Sequence, residues 1–192
     1  MNRDDGFKLY SMPLEGGEAT KLTPFRTSCP VLMDGRIYYA GNVLGGIQVL
    51  MSMNPDGTDH KMHKFVDAGY YGTSAVSDGI LYSYEDGVIT SIDLTDGKFT
   101  ESEINVGEQA ASKLAAYYAE EIETTVGEEN GFGIDGAPFT VANGYAFFET
   151  VYTFGETEFD EAFICDLETE EVYLLNEYFG IGPEIEYKEV IK

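Results

Sequence analysis

Both histidines of the chain stand in one short segment, Asp59-His60-Lys-Met-His63. Imidazole titrates near neutral pH and is the commonest metal ligand, so this segment is the first place to look for chemistry. On a strand, however, residues i and i+3 point to opposite faces, and the pair shares a metal only if the segment curls into a turn. No Gly-x-Ser-x-Gly elbow or other nucleophile motif accompanies it, so no acid/base pair or metal centre is expected there. Carboxylates are the other reactive stock. With 35 acids in 192 residues, pairs arise from composition alone, and a glycosidase dyad has no specific support. The turn Asn54-Pro-Asp56-Gly57-Thr58-Asp59 and the acidic start Asp4-Asp5 offer oxygen ligands of the kind calcium takes. Neither has the twelve-residue loop with a distal Glu, so calcium at an acidic turn is the only cofactor reading, and no cofactor is expected otherwise. Residues 127–136 are glycine-rich but lack the Lys-Ser/Thr of a phosphate loop, which removes nucleotide binding. Cys29 and Cys165 show no Cys-x-x-Cys spacing, so two buried thiols are expected, with one long-range disulfide as the alternative.

The elements that must position these residues are announced by turns. Val-Leu-Met-Asp34-Gly35-Arg-Ile-Tyr-Tyr is echoed by Ala-Val-Ser-Asp78-Gly79-Ile-Leu-Tyr-Ser and by Thr-Val-Ala-Asn143-Gly144-Tyr-Ala-Phe-Phe. Asp-Gly or Asn-Gly between apolar, β-prone runs signals a hairpin, because a type I′ turn needs φ > 0 at both central residues. A second element interleaves: Leu9 to Gly16-Gly17, Leu50 to Asp56-Gly57, Ile89 to Asp96-Gly97 and, without its glycine, Phe163 to Glu170. Four short strands per period of 40 to 45 residues is the pattern of a β-propeller blade. We therefore expect an all-β, propeller-type array of four-stranded antiparallel blades in one repeat domain over residues 1–192. Three blades are complete, at about 30–66, 72–105 and 137–179, and one is partial, at 7–24.

The aromatic strand followed by a hairpin and a strand ending in Pro-Asp56-Gly57-Thr58 resembles the bacterial relatives of the low-density-lipoprotein-receptor propeller, the Tyr-Trp-Thr-Asp repeat type. The resemblance covers residues 1–105 well and 137–179 loosely. Ile37-Tyr-Tyr-Ala40, Ile80-Leu-Tyr-Ser83 and Tyr145-Ala-Phe-Phe148 have neither Trp nor a terminal Asp, so no ligand residue of the family is carried over. What the resemblance implies is a location outside the cytoplasm, extracellular or in the cell envelope, and no assigned activity.

Residues 106–136 break the period. From Glu108 to Glu123 the Ala, Glu, Leu and Gln content reads as a helix, with Ala111, Leu114, Ala115, Tyr118 and Ile122 on the face to be buried. Insertions in repeat arrays gather on one face, often the binding face. Tyr117, Tyr118 and Phe132 are accordingly the candidate binding residues. The alternating stretch at 184–191 reads as a C-terminal strand. Either it closes the partial first blade, or the chain is a piece of a longer propeller; the second is favoured, because one strand cannot replace two.

The formal net charge is −24, about −6 in residues 1–96 and −18 in residues 97–192. Such a surface repels phosphate backbones and anionic lipid, so neither nucleic acid nor membrane insertion is expected. No apolar run approaches 18 residues, and Met1 is followed by Asn-Arg-Asp-Asp, with no secretory signal in the chain. The expected function is a non-catalytic interaction module for a protein or glycan ligand, able to self-associate through an unclosed blade edge. The alternative is a glycan-acting hydrolase or lyase with an acidic site in a central channel; a structural spacer is the third reading.

Overall fold

The computed structural model describes residues 2–44, 47–66, 74–118, 131–133, 139–154 and 157–180. Four antiparallel sheets carry it. The first pairs β1 (Tyr10–Ser11) with β2 (Thr20–Lys21), and the second runs in sequence order through β3 (Thr27–Met33), β4 (Arg36–Leu44), β5 (Ile47–Met53) and β6 (Lys61–Val66). The third holds β7 (Ser74–Ser77), β8 (Ile80–Glu85), β9 (Val88–Asp93) and β10 (Glu101–Asn105), again in sequence order. After helix α1 (Gly107–Tyr117) and β11 (Gly131–Gly133), the fourth orders β12 (Phe139–Ala142), β13 (Tyr145–Phe154), β14 (Thr157–Asp166) and β15 (Val172–Leu174), with β11 also on β13. A short helix, α2 (Leu175–Tyr178), follows β15. The expected plan of four-stranded sheets, one partial sheet and a helical insertion is thus present. The stretch 184–191 and the helix beyond Tyr118 lie outside the described residues.

Turn chemistry sets the strand order. Asp34-Gly35, Asp78-Gly79, Asp86-Gly87 and Asn143-Gly144 all have positive φ at both positions, from +48° to +81°. Asp and Asn tolerate the left-handed region better than other side chains, and Gly enters it at no steric cost. Gly87 is needed twice over: at φ +78°, a Cβ there would lie 2.9 Å from the Gly107 Cα. That close approach seats the start of α1, whose Val106 and Gly107 N–H groups both donate to the Gly87 carbonyl.

The chain divides into two compact units, Met1–Glu85 with Ile89–Glu103, and Asp86–Val88 with Ile104–Lys192. In the first, the central strands β4 and β5 of the β3–β6 sheet are buried on both faces, while Leu32 of β3 and Met62 and Phe65 of β6 are exposed. Tyr39, Val49, Met51 and Met53 pack with Leu9 and Leu22, while Ala40 and Leu50 pack with Leu81, Ile92 and Leu94. Each such side chain, fully removed from water, contributes about 1.5–3 kcal/mol.

The second unit is built one-sidedly. Cross-strand register puts Val141, Ala146, Cys165 and Val172 in one row and Phe139, Phe148, Phe163 and Leu174 in the next. Apart from the partly exposed Phe139, this face is buried, and the Phe148 and Phe163 rings stack at 5.5 Å. Helix α1 lies along β15, where Gln109 donates to the Glu170 carbonyl (2.9 Å) and accepts from the Val172 N–H (3.3 Å). One side chain therefore occupies the hydrogen-bonding edge that β15 would otherwise leave open. Of the expected face of α1, Leu114 and Tyr118 are buried and Ala111 and Ala115 half-buried, while Gly107 and Ala110 complete the buried stripe.

Candidate functional site

The two histidines are separated as strand geometry requires. His60 precedes β6 and its Nδ1 lies 2.9 Å from the Tyr39 hydroxyl. His63 is the extra residue of a β-bulge, since Leu50 pairs with Lys64 while Met51 pairs with Met62. The bulge re-aims its ring: Nε2 lies 2.8 Å from Ser52 Oγ, and the ring packs against Phe99 (4.2 Å) and Tyr38 (6.0 Å). A serine within hydrogen-bond reach of an imidazole has the outline of a nucleophile and base. Here Ser52 is fully buried and its Oγ also accepts from Arg36 Nε (3.2 Å), so no substrate atom reaches it. Burial first, then the Arg36 and Lys61 charges, hold His63 below the usual histidine range. This is a structural polar cluster.

The acidic turns are engaged from within. Asp5 accepts from Lys21 (2.5 Å), Tyr10 (2.5 Å) and Lys8 (3.0 Å), which together hold its carboxyl well below the usual range. Asp59 pairs with Arg36 (2.8 Å) and Lys61 (3.3 Å), and Asp56 accepts from the Thr58 hydroxyl and amide. Asp93 and Asp96 are lowered in the same way by hydrogen bonds from Thr95 and Thr100. A general acid needs its pKa moved the other way, and a calcium site needs oxygens that are not already holding ammonium and guanidinium groups. Among the described residues no three His, Cys, Asp or Glu side chains come close enough to share a metal. Neither cysteine forms a disulfide, and burial pushes the Cys165 thiol up to about 11.

Of the insertion residues, Tyr117 is half-buried and meets Tyr118 edge-on at 5.0 Å. Tyr118 is buried: its ring packs on Phe159 at 4.6 Å and its hydroxyl donates to Glu161. The Phe132 backbone pairs with Tyr152 across β11 and β13, and its side chain lies outside the described residues.

A different surface has the makings of a site. Strand alternation turns Tyr145, Phe147 and Glu149 of β13 away from the buried face, opposite Asp166, Ile164 and Ala162 of β14. Tyr145 and Phe147 are 39% and 37% exposed, whereas Ala146 between them is fully buried and Phe148, next along the strand, is 2% exposed. Tyr178 and Phe179, at the end of α2, are exposed as well, with Tyr178 edge-on to Tyr173 at 5.8 Å. Beside Phe147 and Glu149 the sheet holds a cavity of about 230 Å³, which Phe139, Thr140, Ala162, Leu175 and the buried Phe148 and Phe163 also line. From Phe139 to Gly180 the sequence holds ten acidic residues and no Lys, Arg or His. The cavity is therefore an apolar and aromatic recess with one carboxylate in its wall, on a strongly anionic sheet. Such recesses, apolar with a few placed polar groups, are how ligand sites are usually built. The aromatic strand was visible in the sequence. That Tyr145 and Phe147 stay exposed on one face, beside a buried Ile164, was not, because alternation gives the two faces but not which is packed.

No family model and no curated protein matches this chain. Solved structures do. A chain of the nidogen/laminin complex superposes with a TM-score of 0.53 at 8% identity, over 93% of this chain and 56% of that one. TolB from Acinetobacter baumannii gives 0.50 at 11% identity, over 88% of this chain and 37% of that one. A puromycin hydrolase, the S511A mutant complexed with PGG, gives 0.50 at 12% identity, over 87% and 24%. The fold is of the β-propeller type, like that of the nidogen and TolB neighbours. This chain spans about half of the first of these chains and less of the other two. Among the described residues no helix is long and apolar enough to cross a membrane.

Proposed function

We propose that this chain is a non-catalytic binding module of propeller type whose ligand is a protein or a glycan. The observation that carries this reading is the aromatic outer face of the β12–β15 sheet, where Tyr145 and Phe147 are exposed and Phe147 lines an apolar recess, while the opposite face of the same strands is core. Aromatic side chains half-exposed around a concavity offer large contact area at small entropic cost, the usual character of recognition anchors. Tyr117 and Phe132, on the insertion, form a second candidate surface. The likeness to a chain of the nidogen/laminin complex agrees with protein binding. The resemblance of the repeats to the Tyr-Trp-Thr-Asp type is the ground for assigning the module to the extracellular space or the cell envelope.

The test is a fluorescently labelled chain applied to glycan and peptide arrays beside a Tyr145→Ser/Phe147→Ser variant of equal thermal stability. Retained ligands that the variant loses support the reading. Equal retention by both, or turnover of chromogenic glycosides by the native chain, would replace it.

A further inference from the structure

From the cavity beside Phe147 and Glu149, we infer the partner class: the outer face of the β12–β15 sheet receives a basic protein segment, with one Arg or Lys side chain seated in that cavity. This rests on the reading of the chain as a binding module and makes it specific. Three independent features converge.

The first is shape and lining. A recess of about 230 Å³ lined by Phe139, Phe147, Phe148, Phe163 and Leu175 suits a side chain with a long apolar stem, and Glu149 at its rim meets a charge carried at the end of that stem. Lysine and arginine combine both properties, and their cations are also attracted to aromatic faces.

The second is charge. In the first unit three carboxylates are paired with bases of that unit: Asp5 with Lys8 and Lys21, Asp59 with Arg36 and Lys61, Glu101 with Lys64. On the β12–β15 sheet no base is present to match them, and Glu149 makes no ion pair among the described residues. The nearest cation of the second unit, Lys113 on α1, lies over the Tyr173 ring at 5.9 Å. That places a cation against an aromatic side chain of this same sheet. A second copy of the chain, at −24, is the partner this surface most repels.

The third is length. On the outward face, the rows Tyr145/Asp166, Phe147/Ile164, Glu149/Ala162 and Val151/Asp160 follow one another along the strands. Three intervals of two residues span about 20 Å, with carboxylates at both ends and beside the cavity. Of the end groups, Asp166 also accepts the Glu168 and Thr169 amides in its own turn. A lone amine would use one row. An extended peptide, whose side chains repeat at the same two-residue spacing, uses all four.

The experiment is an amide-resolved NMR titration of the full chain with a blocked Arg-Gly repeat peptide. The same peptide with neutral citrulline replacing arginine, and butylammonium, serve as comparison ligands. Saturable shifts should gather at Thr140, Phe147 to Glu149 and Ala162, with none from the citrulline peptide and weaker binding of butylammonium. Glu149→Gln should weaken the peptide about tenfold, and Glu168→Gln, which removes the same charge at an exposed turn, by no more than about twofold. Equal losses in the two variants, or shifts spread over all acidic surfaces, would reduce the effect to diffuse attraction and overturn the inference. So would butylammonium binding as tightly as the peptide. If no arginine peptide binds while the arrays still report ligands lost with Tyr145→Ser/Phe147→Ser, the basic partner falls and the binding module stands. If the peptide seats at Glu149 but the native chain turns over glycosides, the module reading falls instead.

Discussion

The β3–β6 and β12–β15 sheets share strand number, pairing direction and hairpin chemistry, yet they are used differently. The first is packed on both faces of its central strands, and the carboxylates of Asp59 and Glu101 beside it are answered by Arg36, Lys61 and Lys64. The second packs one face, leaves Tyr145 and Phe147 in solvent, and has no base of its own. A repeat can thus hold its backbone plan constant while one copy is committed to the core and another keeps a surface in reserve. The difference lies in which side chains the alternation delivers to an uncovered face.

The sharpest way to break that comparison is to truncate matched positions. Leu50→Ala, at a fully buried site between two sheets, should cost about 2–5 kcal/mol in urea unfolding. Phe147→Ser, on the open face, should cost about 1 kcal/mol or less. A loss at Phe147 as large as at Leu50 would mean that the outer face is core.

Turns give a smaller contrast. Gly144→Ala meets only the left-handed backbone, since nothing lies within 4 Å of the added carbon, and should cost about 1–2 kcal/mol. Gly87→Ala, with the Gly107 backbone at 2.9 Å, should cost at least about 1 kcal/mol more by thermal denaturation and expose α1 to faster hydrogen exchange. Equal costs would show that the α1 junction gives way freely.

The smallest expected effect is with pH. His63 has its pKa lowered on folding from an ordinary value near 6.5. The folded state then binds fewer protons than the unfolded one, so this contribution is present above that value and lost as pH falls through it. Amides of β6 and Phe99 should exchange faster at pH 5 than at pH 7.5 relative to those of β13, which has no histidine beside it, and His63→Gln should flatten the difference. An identical pH response in both sheets would separate the Ser52–His63 cluster from stability.

Much of the fold was legible because turn chemistry is local. Asp34-Gly35, Asp78-Gly79 and Asn143-Gly144 mark hairpins by their backbone demands alone. Asp86-Gly87 has the same demands but went unread, sitting inside the Tyr-Ser-Tyr-Glu-Asp-Gly-Val run between the two repeated elements. The bulges at Cys29-Pro30 and His63 were not legible, because they are fixed by cross-strand register. With them went the pairing of His63 with Ser52, which no sequence spacing announces. The helical insertion was legible from composition, yet its Tyr118 is committed to Phe159 and Glu161, contacts that only the folded sheet supplies. The late acid was countable in the sequence. What it surrounds, a recess lined by residues of β12, β13, β14 and α2, exists only once cross-strand register brings them together.

Hydroxyl-radical footprinting of the full chain, read by mass spectrometry at single aromatic residues, tests the contrast between the two sheets most directly. The uncovered face predicts fast oxidation at Tyr145, Phe147, Tyr178 and Phe179, and protection at Tyr39, Tyr84, Phe148 and Phe163. Protection of Tyr145 and Phe147 equal to that of Tyr39 would contradict it, showing that the outer face of the β12–β15 sheet is covered in solution.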